Sequence, residues 1–154
     1  MKKSILIHNL EELNQLAFTI AKTLKKGSIV GLKGTLGSGK TTFTQFLAKH
    51  LGIVDNVNSP TFTILKIYKG PLPLYHMDVY RLEDIGYDYE LDDFIYGEGV
   101  AVIEWYPYIQ TMLPNDILEI TIEVLNESER FVHLEGRGIY EPTIKAVSDR
   151  YGNE

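Results

Sequence analysis

The sequence contains no cysteine, which excludes disulfide bonds, cysteine-ligated zinc and thiol chemistry. It contains no apolar run long enough to cross a membrane and no pattern of a secretory signal. We therefore expect a cytoplasmic protein without a membrane partner.

Basic residues are also few, since 15 Lys and Arg stand against 21 Asp and Glu and give a net charge of −6. Nucleic-acid backbones bind to basic surfaces, so this balance argues against a chain that grips RNA or DNA by itself.

Length and patterning predict one domain over residues 1–154, with no linker and no repeat. Asn9 is placed to cap a helix whose apolar stripe runs from Leu13 to Leu24. The polar tail, residues 139–154, is expected at the periphery as a short or frayed helix.

The most specific motif is Gly-x-x-x-x-Gly-Lys-Thr at residues 34–41, the spacing of a phosphate-binding loop. An apolar run over residues 29–32 precedes it, and a segment with helical periodicity over residues 42–51 follows it. Strand, glycine loop and helix N-terminus together surround phosphate with backbone N–H groups. The sequence therefore predicts a nucleoside triphosphate site. Its expected cofactor-binding residues are Leu36, Gly37, Ser38, Gly39, Lys40, Thr41, Thr42 and Trp105.

Three residues, two in the loop and one farther along the chain, suit Mg²⁺ and phosphate. Lys40 is expected to reach the β- and γ-phosphates, and the Thr41 hydroxyl to bind Mg²⁺. Glu104 follows four apolar residues, as does the metal-binding acid at the end of a Walker B strand. Because Mg²⁺ takes few protein oxygens besides phosphates and water, Thr41 and Glu104 suffice as its metal ligands. The alternative for Glu104 is a solvated acid at a strand end.

Three further residues are candidates with weaker signals. Asp78 shares a strand face with His76 and is expected to position water or Mg²⁺, with His76 orienting it; an exposed structural face is the alternative. Thr61 lies in a predicted loop, where its side chain could contact the γ-phosphate or Mg²⁺ in the triphosphate state. The alternative is that Thr61 belongs to a turn that starts a strand. Trp105 stacks beside the nucleotide or caps the core.

Alternation and turn residues predict two β-hairpins, one over residues 61–79 and one over residues 117–135. Residues 83–94 are expected to be helical. Together with the phosphate-loop unit, these elements predict an α/β, P-loop NTPase-type three-layer fold. Its central sheet is mainly parallel, with antiparallel hairpin additions. In such a sheet ligands bind beyond the carboxyl ends of the strands, where the loop and Glu104 can meet.

Four motifs in this order resemble the bacterial TsaE family, also called YjeE. They are Gly-x-x-x-x-Gly-Lys-Thr-Thr-Phe, Asn-Ser-Pro-Thr-Phe-Thr, Tyr-His-Met-Asp-Val-Tyr-Arg-Leu and Val-Ile-Glu-Trp. The resemblance covers about residues 8–138. Only the first motif is widespread among nucleotide-binding proteins, and the combination is nearly diagnostic.

The resemblance implies an ATPase that works with the TsaB–TsaD pair. Together they place a threonylcarbamoyl group on the adenosine next to the anticodon of tRNAs that read codons beginning with adenine. ATP binding and hydrolysis support turnover of the complex, and tRNA is contacted only through the partners. By match to the family motifs, the catalytic residues are Lys40, Thr61, Asp78 and Glu104, and the Mg²⁺ ligands are Thr41 and Glu104.

Three other functions are compatible with a phosphate loop. A small-molecule kinase normally closes an arginine-bearing lid over its phosphates, and the four scattered arginines of this chain do not supply one. A GTPase would read guanine with Asn-Lys-x-Asp, which the sequence lacks. A binding module without catalysis would never turn the nucleotide over. We rank the accessory ATPase first and the kinase second.

Overall fold

The computed structural model describes residues 1–35, 37–58 and 64–152. Within these ranges it contains seven strands and four α-helices. The strands are β1 (Lys2–Ile7), β2 (Ile29–Gly34), β3 (Leu65–Tyr68), β4 (Leu74–Asp78), β5 (Val100–Glu104), β6 (Leu118–Val124) and β7 (Arg130–Glu135). The helices are α1 (Leu10–Ala21), α2 (Lys40–His50), α3 (Asp92–Ile95) and α4 (Glu141–Tyr151). Short 3₁₀ turns lie at Tyr80–Leu82, Tyr89–Leu91, Tyr106–Met112 and Gly138–Tyr140.

All seven strands form one sheet in the order β1-β7-β6-β2-β5-β4-β3. The four central strands, β6, β2, β5 and β4, pair in parallel, and β3, β7 and β1 add to them antiparallel. The predicted α/β fold with a parallel centre and antiparallel hairpins is confirmed. The edge strand β1 was not predicted, although Ile5 and Ile7 alternate with exposed neighbours along it.

The sheet separates two apolar clusters, so the domain has three layers. Val30, Leu32 and Val102 face α1, α2 and α4 on one side. Ile29 and Ile103 face the other side, which α3 and the 3₁₀ turns at Tyr80–Leu82, Tyr89–Leu91 and Tyr106–Met112 cover. Central parallel strands are buried on both faces, which explains why β5 is entirely apolar until Glu104.

The C-terminal segment differs from the frayed peripheral helix that its polarity suggested. Residues Glu141–Tyr151 form a regular helix, and Ile144 and Val147 are completely or almost completely buried against the core. The Thr143 hydroxyl lies 2.6 Å from that of Thr23, just beyond α1. Two buried residues three positions apart give this largely polar helix an apolar face. Helix α4 therefore packs against the core through that face.

Residues 83–94 were predicted to be helical, and this prediction is only partly correct. They contain a bend at Gly86, a 3₁₀ turn and the single-turn helix α3. Gly86 has φ +83°, a left-handed conformation that a continuous helix cannot contain. Asp88 then starts a new turn by accepting a hydrogen bond from the Glu90 N–H at 3.1 Å.

Over the described ranges, every helix is too short or too polar to cross a membrane.

Candidate nucleotide-binding site

The predicted phosphate loop joins the carboxyl end of β2 to the first turn of α2. Gly37 and Gly39 have φ of +80° and +107°, backbone conformations that favour glycine. At Gly34 glycine is required for space, because a Cβ there would collide with the hydroxyl of Ser38. Thr41 and Thr42 lie in the first turn of α2. The loop residue Leu36 falls outside the described residues, as does the proposed sensor Thr61.

The loop has the polar groups that a phosphate requires. Gly39 is the N-cap residue of helix α2 and supplies no capping side chain, so the backbone N–H groups of the first turn are left for a ligand. The Ser38 hydroxyl is buried, and it finds no hydrogen-bond partner among the residues that the structure describes. A buried hydroxyl without a partner is costly, and an anion held by the loop would supply the missing acceptor.

Glu104 lies at the end of β5 beside the loop, and two groups hold it there. Lys40 Nζ is 3.6 Å from Oε1, and His76 Nε2 is 2.8 Å from Oε2. Glu104 is only 4% exposed and His76 is fully buried. Because an ionised carboxylate can only accept hydrogen bonds, His76 Nε2 is the donor in this pair. Glu104 and the phosphate loop thus meet at the carboxyl ends of the strands, as expected, whereas the burial of Glu104 and its ion pair with Lys40 were not predicted.

Asp78 is the register partner of Glu104 on the neighbouring parallel strand β4. Its side chain is half-buried, and its Oδ1 accepts a hydrogen bond from the Tyr80 N–H at 3.0 Å. The expectation that His76 orients Asp78 is wrong, since His76 bonds to Glu104 instead. Asp78 and Glu104 nevertheless line the same cavity.

This cavity of about 310 Å³, which we call the phosphate cavity, brings most of the predicted site residues together. It is lined by Gly37, Gly39, Lys40, Thr41, Thr42, Asp78, Glu104 and Trp105. Neither here nor elsewhere among the described residues do three His, Asp or Glu side chains converge to form a metal cage. One hydroxyl and one or two carboxylates suit Mg²⁺, which keeps several waters and phosphate oxygens as ligands.

Trp105 forms one wall of the phosphate cavity. Its ring centroid lies 5.6 Å from that of Tyr108 in a stacked arrangement and 5.1 Å from that of Tyr80. Lys40 Nζ lies 4.9 Å from its ring centroid, within the range of a cation–π interaction. Its φ of +62° is rare for a bulky residue, and such strain concentrates at functional sites. Trp105 therefore lines this cavity with one part of its ring and also packs against the apolar cluster beneath it.

Two supporting contacts were not visible in the sequence. Arg130 on β7 donates from Nε to the Ser38 carbonyl at 2.9 Å, which fastens the β6–β7 hairpin to the phosphate loop. Tyr106 packs against Gly31 of β2, where a Cβ would lie 2.6 Å from the ring, and donates to Glu119 at 2.6 Å. Burial and this carboxylate raise the pKa of Tyr106, so it remains a hydrogen-bond donor.

The buried contact between His76 and Glu104 gives a prediction. We expect His76→Ala to weaken Mg²⁺ binding in the presence of nucleotide by about 10-fold, because residues that orient a metal ligand contribute on that scale. Nucleotide affinity without metal should change little. Metal-dependent and metal-free titrations by calorimetry separate the two effects. A variant that loses both equally would show a folding defect, and one that loses neither would remove His76 from the site.

Comparisons with known proteins agree on one family. The family model described as threonylcarbamoyl adenosine biosynthesis protein TsaE matches residues 7–132. A TsaE protein of Bacillus subtilis is 46% identical over 144 residues, covering 93% of this chain and 85% of that protein. One of Aquifex aeolicus is 39% identical over 137 residues, covering 86% and 95%. The crystal structure of Bacillus subtilis YdiB superimposes with a TM-score of 0.83 at 37% identity, covering 97% of this chain and 96% of that one. The chain belongs to the TsaE family of threonylcarbamoyl adenosine biosynthesis proteins.

Proposed function

We propose that this chain is a Mg²⁺-dependent ATPase that supports turnover of the TsaB–TsaD pair. Its family places it in tRNA threonylcarbamoyladenosine biosynthesis. The finer proposal is that it serves the modification of the adenosine next to the anticodon in tRNAs that read codons beginning with adenine. The proposal of ATPase activity rests mainly on one observation. Lys40, Thr41 and Glu104 line the same cavity at the carboxyl ends of the strands.

The loop residues bind the triphosphate in this account. Backbone N–H groups from Gly37 to the first turn of α2 hold the phosphates, and Lys40 adds a positive charge. In the structure the Lys40 ammonium neutralises the Glu104 carboxylate, with 3.6 Å between Nζ and Oε1. The flexible side chain of Lys40 needs to move only a little to contact a bound phosphate. Thr41 and Glu104 would hold Mg²⁺, which neutralises charge on the phosphate oxygens when bound.

Hydrolysis requires a water molecule aimed at the γ-phosphate. The water oxygen forms a bond to phosphorus while the bond to the leaving ADP oxygen breaks, and phosphate and ADP result. Asp78 is the half-buried carboxylate placed beside Glu104 to orient this water or to accept its proton. Positioning and charge neutralisation supply most of the acceleration in this reaction class.

The isolated chain should hydrolyse ATP slowly. No arginine is among the described residues that line the phosphate cavity, so the charge that an arginine finger adds is missing there. Arg130 is engaged with the Ser38 carbonyl and with the turn that precedes β7. We propose that the partner pair stimulates the reaction and grips the tRNA, because the net charge of −6 disfavours direct tRNA binding. We propose a cytoplasmic location, because the proposed partners act on tRNA.

One observation favours the alternative, a small-molecule kinase. A second cavity of about 720 Å³ shares Lys40 and Trp105 with the phosphate cavity and has room for an acceptor molecule. Its lining includes Lys33 and His133 but no arginine among the described residues, so it lacks the lid chemistry of such kinases.

The experiment is phosphate release from Mg-ATP by the chain alone, with the TsaB–TsaD pair, and with the pair plus tRNA. We expect slow release alone and at least about 10-fold faster release with the pair, since cationic groups supplied in trans have large effects on phosphoryl transfer. No phosphate release in any mixture would contradict an ATPase. A phosphorylated metabolite formed by the chain alone would favour the kinase.

A further inference from the structure

The charges of this chain are divided unequally along the sequence. Residues 82–129 contain thirteen Asp and Glu and not one Lys or Arg, so all fifteen basic residues lie outside this segment. The segment has a formal charge of −13, and the rest of the chain is net positive. Glu83, Asp84, Glu90, Asp92 and Asp93 are exposed. Glu98, Glu104 and Asp116 of this segment are paired with Lys26, Lys40 and Arg137. The acids of residues 83–93 follow the exposed Arg81 and outnumber it, so the field over residues 83–93 is negative.

Large exposed side chains concentrate in the same segment. Tyr89 is 71% exposed, Ile85 58% and Tyr87 47%, and the rings of Tyr87 and Tyr89 pack on each other at 4.7 Å. Tyr80 and Tyr96 are more than half exposed as well. We call the exposed tyrosines, Ile85 and the five acids the acidic–aromatic surface (residues 80–96). Exposed aromatic residues are typical of the centres of protein interfaces, where tyrosine contributes strongly to binding.

This surface is continuous with the nucleotide site. The Tyr80 ring contacts those of Trp105 and Tyr108 at 5.1 and 6.0 Å, and Lys40 lies against Trp105. The Tyr80 N–H donates to Asp78, a wall residue of the phosphate cavity. A molecule that binds the acidic–aromatic surface therefore contacts the aromatic rings next to the catalytic groups.

We propose that the acidic–aromatic surface docks a basic face of a partner protein, with arginine or lysine side chains placed over Tyr87 and Tyr89. The negative field attracts such a face, and exposed tyrosine rings bind guanidinium and ammonium groups. The same field repels the phosphates of nucleic acids and the headgroups of anionic membranes. Contact through Tyr80 links docking to the nucleotide site. The inference rests on the proposed function, in which a partner pair stimulates hydrolysis.

The test measures binding of the full chain to the purified TsaB–TsaD pair by surface plasmon resonance at several salt concentrations. Tyr87→Ala combined with Tyr89→Ala should weaken binding by about 30-fold, the scale of interface tyrosines. Asp84→Asn combined with Asp93→Asn should slow association by about threefold and reduce its salt dependence, because rim charges act mainly on the association rate.

Matched controls keep the result specific. Val54→Ala with Ile139→Ala removes exposed apolar groups, and Asp55→Asn with Asp149→Asn removes two exposed charges outside the segment. Both controls should bind the pair as the unaltered chain does, and all variants should bind ATP normally when tested alone.

Two outcomes would overturn the proposal in distinguishable ways. If the unaltered chain binds the pair and both surface variants bind equally well, the docking surface is wrong and the proposed function stands. If the unaltered chain does not bind the pair at all, the partner in the proposed function fails as well.

Discussion

Replacing Glu104 with glutamine should lower the rate of ATP hydrolysis by about 10²–10³-fold at saturating Mg-ATP. A ligand to the metal contributes several kcal/mol to stabilising the charge of the transition state, and each 1.36 kcal/mol is a factor of ten in rate. Glutamine keeps the volume and can still accept the hydrogen bond of His76, so the variant removes the charge and little else. Phosphate release with the TsaB–TsaD pair present measures the effect, and binding of ATP without metal should persist.

Glu135→Gln is the matched control for this prediction. Glu135 is also a strand glutamate, on β7, but its side chain is 46% exposed, its Oε1 lies 4.0 Å from Lys2 Nζ, and it lines neither the phosphate cavity nor the 720 Å³ cavity. We expect its hydrolysis rate to stay within about twofold of the original, as for most surface changes. Equal rates for the Glu104 variant and the unaltered chain would remove Glu104 from the metal site.

Replacing Lys40 with alanine should weaken ATP binding by about 100-fold. Charge-assisted hydrogen bonds to phosphate contribute about 1.5–3 kcal/mol each, and 1.4 kcal/mol is a factor of ten in affinity. The variant also leaves Glu104, 4% exposed, without its neighbouring cation, which adds repulsion toward the phosphates. Calorimetry gives the affinity, and the fluorescence of Trp105, the sole tryptophan of the chain, reports on the same pocket.

Lys22 offers a control of the same residue type. It lies at the C-terminal end of α1, and its Nζ sits over the Phe18 ring at 4.6 Å, outside the two cavities that Lys40 lines. Lys22→Ala should keep its ATP affinity within about twofold, since its charge is exposed and screened. Equal losses for both variants would mean that total charge, and not the position of Lys40, controls binding.

Local patterns made the centre of the fold predictable. Residues 29–51 carry an apolar strand, a glycine loop with fixed spacing and a helix with regular periodicity, and each is recognisable without knowing its neighbours. The two hairpins were readable for the same reason, because a turn lies between two alternating runs. Parallel pairing of β2 with β5 followed from two strands that are apolar on both faces. The parallel pairing of β6 with β2 and of β4 with β5 did not follow, because both strands were recognisable only as hairpin strands.

The features that could not be predicted depend on contacts between residues that are far apart in the sequence. The His76–Glu104 bond requires the register of β4 against β5, which no local pattern gives. The position of α4 depends on two buried residues in a polar helix, and β1 on a partner strand more than a hundred residues away. The hydrogen bond from Arg130 to the Ser38 carbonyl could not be predicted for the same reason, because 92 positions in the sequence separate the two residues. Even so, Lys40, Thr41, Asp78, Glu104 and Trp105 were named from the sequence, because each lies at the end of a recognisable element.

The most direct test of the central claim is the yield of threonylcarbamoyladenosine in tRNA per TsaB–TsaD complex, with either the unaltered chain or Glu104→Gln added with Mg-ATP. If nucleotide hydrolysis at this site supports turnover of the complex, the unaltered chain gives many modified tRNAs per complex and the variant gives about one or fewer. Equal yields from both would contradict the account, because modification would then proceed without hydrolysis at the site formed by Lys40, Thr41 and Glu104.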